Sequence, residues 1–204
     1  MNLYPYNHKI GQKIQTDAID VAADHAYLAH FQRSATEAIA AAEGTVIGDF
    51  ATSATVPTVK ITGFTNPSCP KNLTVTCGGV DADVKAVQVV IEGTNYADEI
   101  ISETFPAFTV NAFSTEIGSK AFKTVTKVTV PAMDGAGVTI HVGHGEKLGL
   151  PYLLPHNTVI KTVFDNTVEA NAPTVTVSAT ALESNTIDLD SALNSKVVDV
   201  YLMV

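Results

Sequence analysis

Tryptophan is absent from this 204-residue chain, aromatic residues make up 7% of it and charged residues 16%. The thin aromatic content counts against a carbohydrate cleft built on stacking platforms, for which Tyr96, Tyr152 and Tyr201 are the remaining candidates. Lysine and arginine together number 12 against 21 acids, giving a formal charge of −9. A role built on phosphate contacts needs clustered cations, so neither DNA nor RNA is expected as a partner. Long hydrophobic runs are missing too. The best candidate, residues 18–42, is interrupted by Asp20, Asp24, His25, Arg33 and Glu37, so no membrane association is expected. Met1-Asn2-Leu3-Tyr4-Pro5-Tyr6 lacks a basic region followed by an apolar core, so no signal peptide is expected and synthesis in a reducing cytoplasm is. Of the two cysteines, Cys77 alternates with Leu73 and Val75 and reads as a core thiol, whereas Cys69 lies between Pro67 and Pro70 in a loop. Their pairing is not the expectation in a reducing compartment.

What the chain does have is apolar content, 46% of residues, and enough length for one substantial core. Residues 118–131 declare their local structure most clearly. Phe122, Thr124, Thr126, Val128 and Val130 fall on one side of an extended chain, with Lys123, Val125, Lys127 and Thr129 on the other. Gly118 permits a turn before this strand, and Pro131, lacking an N–H, ends it. Further strand candidates are 58–63, 73–77, 85–92, 99–105, 138–142, 158–164, 174–179 and the apolar C-terminal 196–204. The pattern predicts a mainly β protein, an antiparallel β-sandwich or jelly-roll-like body packed in two layers. Its predicted core includes Leu73, Val75, Val89, Phe122, Val128, Val130, Ile140 and Val200. Residues 165–173 read either as a linker or as a long sandwich loop.

The N-terminal quarter differs in composition. Residues 1–15 mix aromatics with Pro5 and Gly11 and read as an extended arm. Thr16 or Asp17 is a suitable N-cap and Gly44 a left-handed stop, so an Ala-rich α-helix is expected between them. Such a helix carries few large apolar residues, and either lies across one end of the sheet or packs closely against copies of itself or another protein. Residues 1–50 are thus expected to form an attachment or oligomerisation region ahead of a β-rich body at 51–204. Leu3, Tyr4, Tyr6, Ile10, Ile14, Ile19, Tyr27 and Phe31 are its candidate interface residues.

No catalytic, cofactor or metal site emerges from the motifs. His141 and His144 are three apart, which on a strand sends them to opposite faces unless Gly143 turns the chain. His25 and His30 are five apart, a spacing that does not share a metal on one helix face. Asp98, Glu99 and Glu103 suggest a glycosidase pair less readily than solvated turn residues. Asp81/Asp83 and Asp188/Asp190 lack the Gly and distal Glu of a calcium loop. There is no Gly-x-Ser-x-Gly elbow and no phosphate-binding glycine loop leading into a helix.

Four segments carry a family resemblance. They are Pro67-Ser68-Cys69-Pro70-Lys71-Asn72-Leu73-Thr74-Val75-Thr76, Gly93-Thr94-Asn95-Tyr96-Ala97-Asp98-Glu99-Ile100-Ile101-Ser102-Glu103-Thr104, residues 118–131, and Gly143-His144-Gly145-Glu146-Lys147-Leu148-Gly149-Leu150-Pro151. In this order they resemble a β-rich module of tailed-bacteriophage auxiliary virion proteins, the capsid decoration, cement or head-fibre type. The resemblance covers residues 57–164 and implies a non-enzymatic structural protein on the capsid surface, made in the bacterial host cytoplasm. It implies the major capsid protein and further copies of the chain as partners, with a trimer as the first expectation. A tail, collar or head–tail joining protein is the alternative within that class, and a glycan-binding adhesion module the alternative outside it.

Overall fold

The computed structural model describes residues 14–15, 22–23 and 27–204. Its strands are β1 (Ile14–Gln15), β2 (Ala22–Ala23), β3 (Leu28–Arg33), β4 (Ala42–Ala51), β5 (Thr58–Lys60), β6 (Lys71–Gly79), β7 (Gln88–Thr94) and β8 (Ile100–Ala107). They continue with β9 (Thr115–Phe122), β10 (Thr124–Val130), β11 (Val138–Gly149), β12 (Val159–Phe164), β13 (Thr167–Val168), β14 (Thr174–Thr176), β15 (Thr186–Asp188) and β16 (Val198–Met203). Every pairing among them is antiparallel. β1 and β2 pair only with each other, Ile14 opposite Ala23. The protein is mainly β with a sandwich-like body, as the alternating patterns predict.

Two layers enclose the first core. The front sheet runs β5-β10-β7-β8, and the back sheet runs β14-β15-β11-β6-β9 with β4 added along β11. Val89, Ile91, Ile101, Phe105, Val125, Val128 and Val130 from the front meet Val46, Phe50, Leu73, Val75, Cys77, Val138, Ile140 and Val142 from the back. A third sheet, β13-β12-β16-β3, closes a second core. There Phe31, Val198, Val200 and Leu202 pack with Leu148, Leu150, Leu154, Ile187 and Leu193. The eight predicted core residues are all buried, Val200 in the second core and the others in the first. Both cysteines are free thiols, Cys77 in the first core and Cys69 in the second.

The strand expected over residues 118–131 is in fact a crossing between sheets. Phe122 is paired with Lys71 of the back sheet, while Thr124 is paired with Thr94 of the front sheet. Lys123 sits at the corner, its N–H donating to the Thr94 carbonyl at 2.8 Å. A bulge between Val125 and Lys127 then flips the alternation, so Val125, expected on the polar side, turns inward with Val128 and Val130. At the same corner a Cβ on Gly93 would overlap the Thr124 carbonyl, which is why a residue without a side chain stands there.

The Ala-rich helix is corrected by the structure. Among the described residues between 27 and 44 there is strand β3, a turn at residues 35–38 and the start of β4, and no helix. β3 has the period-two burial of a strand, with Ala29, Phe31 and Arg33 facing the second core and Leu28, His30 and Gln32 facing out. It makes six residue pairs along the apolar C-terminal strand β16. The helix preference of alanine is worth only tenths of a kcal/mol per residue, and this long-range pairing with an otherwise open edge outweighs it. Gly44 does take the left-handed backbone expected of a stop, φ 64°, but within an irregular stretch of β4 against β11. The part of the helix before residue 27 lies largely outside the described residues.

Phe122 has no exposed surface and packs at the crossing, so Phe122→Ala should destabilise the fold by about 3–5 kcal/mol in urea unfolding. Gly93→Ala should cost about 1–3 kcal/mol through separation of β7 from β10. A Gly93→Ala protein as stable as the parent contradicts the corner geometry.

Candidate functional site

Polar chemistry concentrates where the two cores meet, and β3 delivers it. The strand ends at Arg33, whose inward position follows from its parity with Ala29 and Phe31. A turn follows at once. Ser34 carbonyl accepts from Glu37 N and Ala38 N, and the Glu37 carboxylate accepts from Ser34 N at 3.0 Å and Ser34 Oγ at 2.8 Å. Arg33 Nη1 donates to the same carboxylate at 2.9 Å. Burial pushes the Glu37 carboxyl up, but the Ser34 hydrogen bonds and the Arg33 charge outweigh it and hold it below the usual range.

Arg33 is the only arginine in the chain and is 7% exposed. Its guanidinium carbon lies 4.5 Å from the centre of the Phe31 ring and 5.4 Å from that of Tyr96. Tyr96 is brought there by a hairpin turn organised by buried Asn95. The Asn95 Oδ1 accepts from Ala97 N at 2.9 Å and Glu99 N at 3.1 Å, and its Nδ2 donates to Glu99 at 2.8 Å. Arg33, Glu37, Tyr96, Lys123 and the Pro67–Pro70 turn line a cavity of about 500 Å³. Lys123, at the sheet crossing, is paired with Asp98 at 2.7 Å.

Beneath the cavity, Lys71 is fully buried and donates from Nζ to the Ile39 carbonyl at 2.5 Å. Burial lowers its proton affinity, opposed by Cys69 and Glu146. His144, also buried, is lowered by burial and further by the Lys71 charge. Burial pushes the Cys69 thiol up, against the pull of Arg33 and Lys71, so it is held as a thiol donating to the Glu37 carbonyl.

The other sequence candidates have structural partners. His141 faces outward with Asp49 at 2.8 Å while His144 is buried, so the two do not converge. Gly143 lies within β11 and does not turn the chain. No group of three or more metal-ligating side chains forms among the described residues. Glu103 accepts from Ser119 N and Oγ, and Asp83 from Gly137 N. Tyr201 is stacked on His30 at 4.6 Å with Lys161 4.8 Å from its centre, and Tyr152 packs on the second core, so of the three tyrosines Tyr96 alone meets this cavity. Of the expected interface residues, Leu3, Tyr4, Tyr6, Ile10 and Ile19 lie outside the described residues, as does the side chain of Ile14. Tyr27 is half-buried and pairs by backbone with Val204. Phe31 is corrected: at 5% exposure it belongs to the second core, because its strand parity turns it inward.

His144 gives a pH signature. Its folded-state proton affinity lies below the ordinary value near 6.5, so as pH falls through that range the unfolded chain takes up a proton the folded chain refuses. Stability should therefore be fully present above this range and decline below it, until the folded pKa is passed. Melting curves from about pH 7.5 to 5.5 should show this decline, and His144→Gln should flatten it. An unchanged slope in that variant contradicts the assignment.

No protein-family model, no curated protein and no solved structure matches this chain.

Proposed function

We propose that this chain is a non-enzymatic structural protein of a bacteriophage virion, a capsid decoration or cement protein that engages the head shell through its N-terminal segment. The observation that carries the reading is the stitching of Leu28–Arg33 onto the C-terminal strand, extended by reciprocal bonds between Tyr27 and Val204 at 2.8 and 2.9 Å. This fastens the segment before residue 27 to the rigid body at the free edge of one sheet. Load applied to such an arm passes into two apolar cores through a full ladder of hydrogen bonds. The edge beside it presents Leu28, 62% exposed, as apolar contact surface for the major capsid protein or another copy, while Val168, 57% exposed, lies at the opposite edge of the same sheet.

The four segments that carry the phage resemblance support the same reading, since each is a joint of the body. The Pro67–Pro70 turn borders the seam, the Asn95 turn links front strands, residues 118–131 cross between sheets, and the Gly143–Gly149 stretch bends β11. Because β3 and β4 belong to the body, the functional boundary is drawn before Tyr27 and not at residue 50.

A protein comprising residues 27–204 should stay folded, melting within a few degrees of the full chain, yet bind expanded phage heads at least tenfold more weakly in co-sedimentation. Equal binding by the two proteins contradicts the division between arm and body.

A further inference from the structure

We propose that β3 is the contact between two copies of this chain, an antiparallel β3–β3 pairing centred on His30 that joins two four-stranded sheets into one. Tyr27 and Val204 exchange both of their backbone hydrogen bonds, so in the register that follows Ala29, Phe31 and Arg33 bond toward β16. Leu28, His30 and Gln32 therefore direct their N–H and C=O groups the other way. These three residues are exposed, and among the described residues no strand pairs with that side of β3.

The other sheet edges carry devices that discourage pairing with another chain. β5, β13 and β14 are three residues long or shorter, β8 contains Pro106, β9 carries Lys120, and β4 is broken by register shifts. β3 has none of these. It keeps unbroken register over six residues, and its one cation, Arg33, turns inward.

A second copy is the occupant that this edge fits, because it is its own complement. Turned about a dyad at His30, His30 meets His30 and Leu28 meets Gln32 of the second copy, so every outward N–H of Leu28, His30 and Gln32 finds an outward C=O. A dyad at Ala29 or Phe31 pairs only two of the three within β3. The His30 ring is stacked on Tyr201 of the neighbouring strand, 4.6 Å between centres and 4° between planes. Its outer face therefore looks over the free edge, where His30 of the second copy continues the stack. Charge favours the same contact. The chain carries −9, yet Leu28 and Gln32 are neutral, and the Asp199 carboxylate beside them is held by Gln32 Nε2 at 2.8 Å and His30 Nε2 at 2.6 Å. The dyad stands perpendicular to the sheet, so both chains present their Leu28 and Tyr201 face on the same side of the dimer.

Sedimentation equilibrium of the full-length protein should show a reversible monomer–dimer mixture approaching twice 21.5 kDa. Leu28→Lys combined with Gln32→Lys places like charges opposite each other twice, and should raise the dimer dissociation constant at least about tenfold. Because the native cysteines are buried, a short bismaleimide reports only on introduced thiols. Leu28→Cys mixed with Gln32→Cys should cross-link to dimers severalfold more than either protein alone. A single monomeric or trimeric mass, unchanged association of the lysine variant, or cross-linking no greater in the mixture than in its components overturns the proposal. Should the lysine variant fail to fold, the cross-linking result decides.

Discussion

One strand has to serve two apolar layers. Val138, Ile140 and Val142 at the start of Val138–Gly149 fill the first core, and Leu148 at its end fills the second. A straight strand of this length cannot stay flush with both, and the bend comes from an irregularity against its neighbour. Between His144 and Leu148 the strand advances four residues while its partner goes only from Leu73 to Lys71. Glycine allows the neighbours to approach closely along this stretch, because a Cβ at Gly143 would overlap the Ala42 carbonyl and one at Gly145 the Asn72 amide. Buried Asn72 then ties the distorted stretch down, accepting from Lys147 N at 3.0 Å and donating to the Gly118 carbonyl at 3.0 Å.

The seam is polar as a consequence of that bend. Where two cores meet at an angle, side chains from both reach a region that neither fills with hydrocarbon. Lys71, His144, Arg33 and Glu37 collect there, and their charges are tempered by burial and by one another. The same geometry leaves the cavity open beside Arg33. The position of this polar seam thus follows from a single continuous strand contributing to both apolar layers.

Much of the body was legible from period-two alternation, because Val89, Ile91, Ile140 and Val142 each lie on a face that is buried on one side only. What escaped was set by partners distant in sequence. Leu28–Arg33 alternates too, but Ala29 is a weak apolar signal and the strand's identity rests on pairing with residues near 200. Gly44 announced a left-handed backbone correctly, and the same conformation serves a helix stop and a strand irregularity alike. Residues 118–131 were extended as read, yet the change of sheet at Lys123 and the bulge after Val125 leave no mark on periodicity alone. Arg33 was visible only as an interruption of an apolar run. Its meeting with Tyr96, sixty-three positions away, depends on the Asn95 turn and the register of β3.

The fold is a two-core body whose N-terminal side joins it at an edge laced by the Leu28–Arg33 and Val198–Met203 pairing. The most direct test of the proposed role is cryo-electron microscopy of intact phage particles. The account predicts the β body on the outer surface of the head with the Tyr27–Val204 edge turned toward the shell. Particles that lack the protein, or hold it with that edge pointing into solvent and other surfaces against the shell, would contradict it.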